Sequence, residues 1–424
     1  MKILIAYQLD YHFDNSRLKH LVSFLGKKEK VTVIYRKFVI NQTKKEINKS
    51  FFSFKIKTYR ENSVKFIEID PIFNGPQGLG LYLLKDESPI KNYKGIKQAL
   101  KKVFNTIGIF KEIVEFFPSY LLGYFLYDRS HYDIFIGGGQ WALLLGYFLK
   151  KIGKVKVLVA DDYDYQAGNQ TITRFRFLFT KYLENFVLKK SDLIISVGPQ
   201  LAKLRKKELG KEAKIIPNGV DYKLFAEAQI KNSHPPTLIY IGAVEWWSGL
   251  DLVIKAMAKA KKDIPELRLL ILGHSYPQYL TSLFKLARQL EVNRIEYLGR
   301  KPYSKLPFYL KEADIGLAVY LPVELRKYGF SLKAVEYMAA GLPVIITKGI
   351  QSSSIIEKYQ CGKVVEYNEE AVYRAIKELL MEKKKFLFFV KNAINISKSF
   401  DWDILMTEFY KKIAEIIDTN EKAD

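Results

Sequence analysis

Cysteine is nearly absent. Cys361 is the only one in 424 residues, which excludes an internal disulfide and any cysteine-rich metal site. Five scattered histidines argue against a zinc centre. Long apolar runs are missing too. The longest uncharged stretch, Ile134–Leu149, falls short of the ~18 residues of a spanning helix, and its Gly137-Gly138-Gly139 centre reads as strand, turn and helix start. No leader with a small-residue cleavage site follows Met1-Lys2, so the expectation is a cytoplasmic protein, held if at all on the inner face of a membrane. Carboxylates are scarce beside cations: 45 Asp and Glu against 68 Lys and Arg, a net charge of +23. Such an excess suits phosphorylated ligands, an anionic membrane surface or nucleic acid. A lysine-rich proteome would leave the same surplus. No RNA- or DNA-binding motif accompanies it, so nucleic acid is set aside.

What is present is the composition of a globular protein, 48% hydrophobic and 27% charged, with length for two or three domains. Apolar runs alternate with amphipathic ones and predict parallel α/β architecture. Lys2–Tyr7 and Val31–Tyr35 read as strands around a helix over Arg17–Leu25. Val64–Ile69, Tyr132–Gly137, Lys156–Ala160 and Asp192–Val197 continue the strand pattern, while Ile40–Arg60 shows none. After the polar, proline-containing Lys231–Pro236, strands are predicted over Thr237–Gly242, Leu267–Gly273, Ile295–Arg300, Ala313–Ala318 and Val364–Glu366.

Several stretches of the first half point to ligands without naming one. Asp10, His12 and Asp14 alternate along the first loop, and Pro71–Gly80 is rich in Gly and Pro. Phe104–Tyr127 is dense in aromatics and follows Lys94, Lys97, Lys101 and Lys102. It reads either as a membrane-interface segment or as a core helix pair broken at Pro118. The strand Lys156–Ala160 runs into Asp161-Asp162-Tyr163-Asp164. Ligands of open α/β sheets gather at such carboxyl ends, although helix capping or a surface loop fits the same residues.

The most informative stretch is Tyr328–Thr347, Y-G-F-S-L-K-A-V-E-Y-M-A-A-G-L-P-V-I-I-T. It predicts a glycine-containing loop, a helix over Leu332–Ala340, a stop at Gly341 and Pro343, and a buried strand over Val344–Thr347. Free N–H groups and the helix dipole favour an anion at the helix start. Lys333 in the first turn opposes that dipole, so its presence suggests a bound anion. Glu336 lies three residues on along the same stripe, where a carboxylate can accept from a pair of sugar hydroxyls. Together they suit a diphosphate beside a ribose, while the plain alternative is an exposed ion pair on a surface helix.

The segment G-F-S-L-K-x-x-E-Y-M-A-A-G-x-P-V resembles the donor-binding segment of retaining GT-B glycosyltransferases, family 4 (glycosyl transferases group 1) in particular. The likeness extends from about Ser191 to Trp402, with I-P-N-G-V-D at the family's hinge, and is mostly architectural before that. It implies that Glu336 holds the nucleotide ribose and Lys333 faces the phosphates. The backbone of Gly329, Phe330, Ser331 and Leu332 would touch sugar and phosphates. Gly242 would line the donor, and the turn holding Arg300 would receive the base. Asp161 or Asp162 would stand near the reacting sugar carbon. Two departures accompany the match. Tyr328 stands where the family has a second carboxylate, with Glu324 the nearest upstream. Ala243 and Ser248 replace an Arg and a Lys that contact the diphosphate, leaving Arg326, Lys327 or Lys333 to compensate.

The implied fold is α/β, GT-B, with two Rossmann-like domains facing across a cleft. The boundaries expected are an acceptor-side domain over 1–214, a nucleotide-sugar-binding domain over 215–398, and a crossing helix and tail over 399–424. The implied activity is transfer of a hexose from a nucleotide-sugar to a glycan or lipid-linked acceptor with retention. The nucleotide-sugar is co-substrate, and neither cofactor nor metal is expected. The donor-side domain over 215–398 has no Asp-x-Asp, and Asp162-Tyr163-Asp164 lies on the acceptor side. The rivals are an inactive binding or scaffold protein of the same fold and a nucleotide-sugar epimerase.

Overall fold

The computed structural model describes residues 1–8, 11, 17–37, 55–70, 113, 116–169, 174–230 and 232–421. Asp10, His12, Asp14, the Pro71–Gly80 loop, and Lys94 to Lys102 lie outside them. The chain divides into two compact units. One comprises Met1–Val197, Leu201–Ile216 and Met406–Asp424, and the other Gly198–Gln200 and Pro217–Leu405.

Among the described residues the first unit has eight strands: β1 (Lys2–Tyr7), β2 (Lys30–Arg36), β3 (Ile56–Glu61), β4 (Val64–Ile69), β5 (Tyr132–Gly138), β6 (Val155–Asp162), β7 (Leu193–Ser196) and β8 (Lys214–Ile215). Their order is β3-β4-β2-β1-β5-β6-β7-β8. All neighbours are parallel except β3 and β4. The central strands are apolar because helices cover both sheet faces. β1, for example, is buried from Ile3 to Tyr7.

β3 corrects the reading of Ile40–Arg60 as patternless. It is a solvated edge strand, I-K-T-Y-R-E, without a buried residue. Its pairing comes from a two-residue turn in which Asn62 takes a positive φ of 53°, a conformation Asn tolerates. Pro118 does not break its helix either. Residues 116–127 are helical throughout, burying Phe116, Tyr120 and Tyr124 and exposing Leu122, Leu126 and Tyr127. The described part of the aromatic stretch is therefore half core and half surface.

The second unit has six parallel strands in the order β11-β10-β9-β12-β13-β14. They are β9 (Thr237–Ile241), β10 (Arg268–Leu272), β11 (Ile295–Gly299), β12 (Ile315–Ala318), β13 (Val344–Thr347) and β14 (Gly362–Val365). Helices Leu250–Ala260 and Leu332–Ala339 cover its faces, the latter buried along nearly its whole length. The final helix, Trp402–Glu421, starts in this unit and joins the first from Met406 on. There the Tyr410 hydroxyl donates to Glu29 Oε1 at 2.5 Å. Two Rossmann-like units and this returning helix make the fold GT-B.

Candidate active site

The predicted donor residues other than Arg300 lie at the carboxyl end of the second sheet, around β9, β12 and the start of helix Leu332–Ala339. β9 ends at Ile241, and Gly242 turns the chain with φ +142°. A side chain there would be strained, and its Cβ would stand 2.7 Å from Lys333 Nζ. The backbone of Gly242 and the Lys333 ammonium are thus immediate neighbours.

Lys333 and Glu336 are buried, 9% and 6% exposed, so an exposed surface pair is excluded. The Lys333 ammonium lies 3.6 Å from the centre of the Tyr240 ring and 4.9 Å from that of Tyr320. These ring faces attract a cation but supply no counter-charge. Among the described residues no carboxylate stands within ion-pair distance of Lys333 Nζ. Burial holds its pKa well below the ordinary lysine range, Arg326 adds to the lowering, and Glu336 opposes it.

Arg326 is the second cation. Its guanidinium lies 3.8 Å from the centre of the Trp247 ring and 5.1 Å from that of Tyr320. Among the described residues its buried Nε has no hydrogen-bond partner. Trp247 is fixed in turn, its indole N–H donating to Glu245 Oε2 at 3.1 Å. Lys327 points elsewhere, exposed and 5.4 Å from the Tyr328 ring. Of the three proposed substitutes for the missing cations at Ala243 and Ser248, the structure brings Lys333 and Arg326 to one place.

The loop before the helix is held by its own bonds. Ser331 N–H donates to Ser352 Oγ at 2.8 Å, and its hydroxyl meets that of Tyr320 at 3.3 Å. Gln351 Nε2 donates to the Tyr328 carbonyl at 2.9 Å. Gly329 has an extended backbone, φ −77°, and Leu332 is half-buried at the first helical position. The Phe330 ring is partly buried against the core, 6.3 Å from that of Phe400. Arg300 is exposed beyond β11, at the sheet edge.

Tyr240, Tyr320 and Trp247 escaped the sequence reading. Tyr240 sits inside an apolar strand run, where an aromatic looks like core. Tyr337, beside Glu336, also has a role: its hydroxyl receives the Ile241 N–H at 2.8 Å, tying the helix to the end of β9.

Asp161 and Asp162 sit at the end of β6, as the sequence placed them, but turn inward, 1% and 5% exposed. Neither caps a helix nor lies on a surface loop. Asp161 accepts from Arg17 Nε at 2.8 and 2.9 Å and from the Tyr7 hydroxyl. Asp162 accepts from Arg205 Nε and Nη2 at 2.9 and 2.7 Å and from Ser196 Oγ at 2.7 Å. Arg205 Nη2 also donates to Glu184 at 2.7 Å. Both carboxylates are engaged in buried ion pairs. Among the described residues no group of three or more His, Cys, Asp and Glu is placed to hold a metal ion.

Residues 222–396 match the family described as glycosyl transferases group 1. An uncharacterized glycosyltransferase of Methanocaldococcus jannaschii is 26% identical over 346 residues, 77% of this chain and 80% of that protein. A phosphatidyl-myo-inositol mannosyltransferase of Mycolicibacterium smegmatis is 22% identical over 259 residues, 60% of this chain and 64% of its own length. Among solved structures, a sucrose-phosphate synthase from Thermosynechococcus elongatus superposes with a TM-score of 0.71 at 17% identity, covering 99% of this chain and 100% of that one. An Anabaena protein, HepE, solved with UDP, gives 0.66 at 17%, covering 98% and 100%. The cation site thus lies within the segment that matches glycosyl transferases group 1, in a chain of GT-B fold whose relatives support glycosyltransferase function.

Proposed function

We propose that this chain transfers a hexose from a nucleotide-sugar to a glycan or lipid-linked acceptor, with retention of configuration and without a metal ion. One observation carries the reading: Lys333 is buried with no carboxylate within ion-pair distance among the described residues, beside a second cation and a glycine turn. An uncompensated buried ammonium is costly, and an anionic ligand removes that cost. A donor diphosphate fits, because Lys333, Arg326 and the amides at the start of the helix can share its charge. The same groups stabilise the diphosphate as it leaves, which is electrostatic catalysis by fixed charges and dipoles. Two side-chain cations do there what a divalent metal would otherwise do. Glu336, one turn deeper, takes the ribose hydroxyls.

The acceptor is proposed on slighter grounds. One relative is named for a phosphatidyl-myo-inositol acceptor, and the chain's charge of +23 suits work at the inner face of an anionic membrane. Asp161 and Asp162 have no reacting role in this reading. They stabilise the first unit.

The test is thermal stabilisation by a panel of nucleotide-sugars, with bare nucleotides as controls, on the native chain and on Lys333→Met. A ligand bound only by the folded state raises its melting point. A shift that Lys333→Met abolishes supports the donor site. No shift with any donor, in folded protein, sinks it. Tyr328 in place of a carboxylate favours a second reading, an inactive donor-binding protein. Donor hydrolysis or transfer separates that protein from an enzyme, and conversion of the nucleotide-sugar alone would mark an epimerase.

A further inference from the structure

Helix Arg174–Lys190 of the first unit has two unlike faces. The inner one buries Val187 and Leu188 and brings Phe179 within 6.3 Å of Trp141. The outer one carries Phe175, Leu178 and Tyr182, which are 60%, 51% and 71% exposed. Their spacing of three and four residues places them in one stripe. Arg174 and Lys189 fall on the same arc, and Lys190 ends the helix, all exposed. The helix has one carboxylate, Glu184, and it is buried against Arg205 at 2.7 Å. The carboxylate nearest from the following helix, Glu208, is taken by Lys181 at 2.6 Å. The outer face thus combines three large apolar side chains with cations and shows no carboxylate of its own.

Exposed apolar side chains are ordinary when scattered and informative when aligned. A partner for this face must offer negative charge and an apolar layer beneath it. An anionic bilayer offers both. Aromatic rings settle at headgroup level, Leu reaches the acyl boundary, and lysine and arginine meet the anionic headgroups. A second copy of the chain would approach with the same net charge of +23, which opposes self-association at a cationic face. Among the described residues no helix is long and apolar enough to cross a membrane, so attachment through this helix is peripheral.

We infer that the outer face of helix Arg174–Lys190 docks the protein on an anionic lipid surface. The inference stands apart from the donor reading, since it uses no residue of the cation site.

Flotation of the full chain with vesicles tests it, comparing phosphatidylcholine alone with mixtures rich in phosphatidylglycerol. The chain floats with the anionic vesicles at low salt, and binding falls as salt screens the headgroups. The variant Phe175→Ser, Leu178→Ser, Tyr182→Ser loses roughly tenfold or more of that binding, while its melting point and its response to nucleotide-sugars match the native chain. The single variant Tyr182→Trp folds without loss of bulk, and its fluorescence moves to the blue on anionic vesicles. No flotation at low salt overturns the inference. So does flotation that the triple variant retains, an unshifted Tyr182→Trp, or a self-associated native chain that the triple variant turns monomeric without changing flotation.

Discussion

The Lys333 ammonium lies 3.6 Å from the centre of the Tyr240 ring, which stands on the buried strand β9. The ring attracts the cation, but cation–π attraction of about 2 kcal/mol is less than a full desolvation cost. A buried ammonium so placed should cost the protein stability that an anionic ligand restores. Lys333→Met should raise the melting temperature, by the equivalent of about 1–3 kcal/mol, and lower nucleotide-sugar affinity at least tenfold. Differential scanning calorimetry and titration calorimetry read the two effects. A variant that loses stability and keeps affinity would contradict the assignment.

The same burial should make donor binding pH-dependent. Lys333 holds its proton more weakly in the folded chain than in the unfolded one. Below the lowered pKa both states are charged and the full cost is present. As pH rises from that value toward the ordinary lysine value of about 10.4, the folded state sheds its proton first and stability from this group is regained. A diphosphate reverses the balance by favouring the ammonium. Arg326 opposes protonation, Glu336 supports it, and the buried hydroxyls of Tyr240 and Tyr320 stay neutral. Titrations in buffers of different ionisation heat should show proton uptake on donor binding at pH above the lowered pKa, and none with Lys333→Met.

How much of this was readable depends on distance along the chain. Glu336, Lys333 and the loop before them lie within one short segment, so one pattern exposes them together. The aromatic lining comes from the end of β9, the loop after it and the end of β12, and nothing in the sequence joins Tyr240, Trp247 and Tyr320. Asp161 and Asp162 were placed correctly at a strand end, yet their partners Arg17 and Arg205 lie 144 and 43 residues away. A carboxylate pair at a strand end looks the same whether it faces a ligand or a buried guanidinium. β3 was missed because an edge strand without a buried residue shows no apolar alternation.

The Arg205 network gives a stability prediction. Its side chain is fully buried between Asp162 and Glu184 at 2.7 Å from each. Burial pushes the Glu184 carboxyl above its usual range, and Arg205 pulls it back. Arg205→Met leaves two carboxylates facing each other without a cation, and should cost about 3–5 kcal/mol in urea unfolding. Arg205→Met with Asp162→Asn and Glu184→Gln should recover a substantial part, because no buried charge then lacks a partner. Equal losses in both would mean that packing, not charge, explains the effect.

Arg326 tests whether the diphosphate cations have moved from the usual positions, here Ala243 and Ser248. Its guanidinium is stacked 3.8 Å above Trp247, and its buried Nε finds no partner among the described residues. Arg326→Ala should weaken nucleotide-diphosphate-sugar binding about tenfold or more, the order of one charged hydrogen bond, and should weaken a nucleoside monophosphate much less. Trp247→Leu removes the platform and keeps the charge, so it should produce a smaller loss in the same direction. Arg326→Lys should not restore affinity, because an ammonium neither stacks in a plane nor offers the guanidinium fork. Should Arg326→Ala affect mono- and diphosphates alike, the arginine would belong to another part of the ligand, and Lys333 with the helix amides would hold the diphosphate without it.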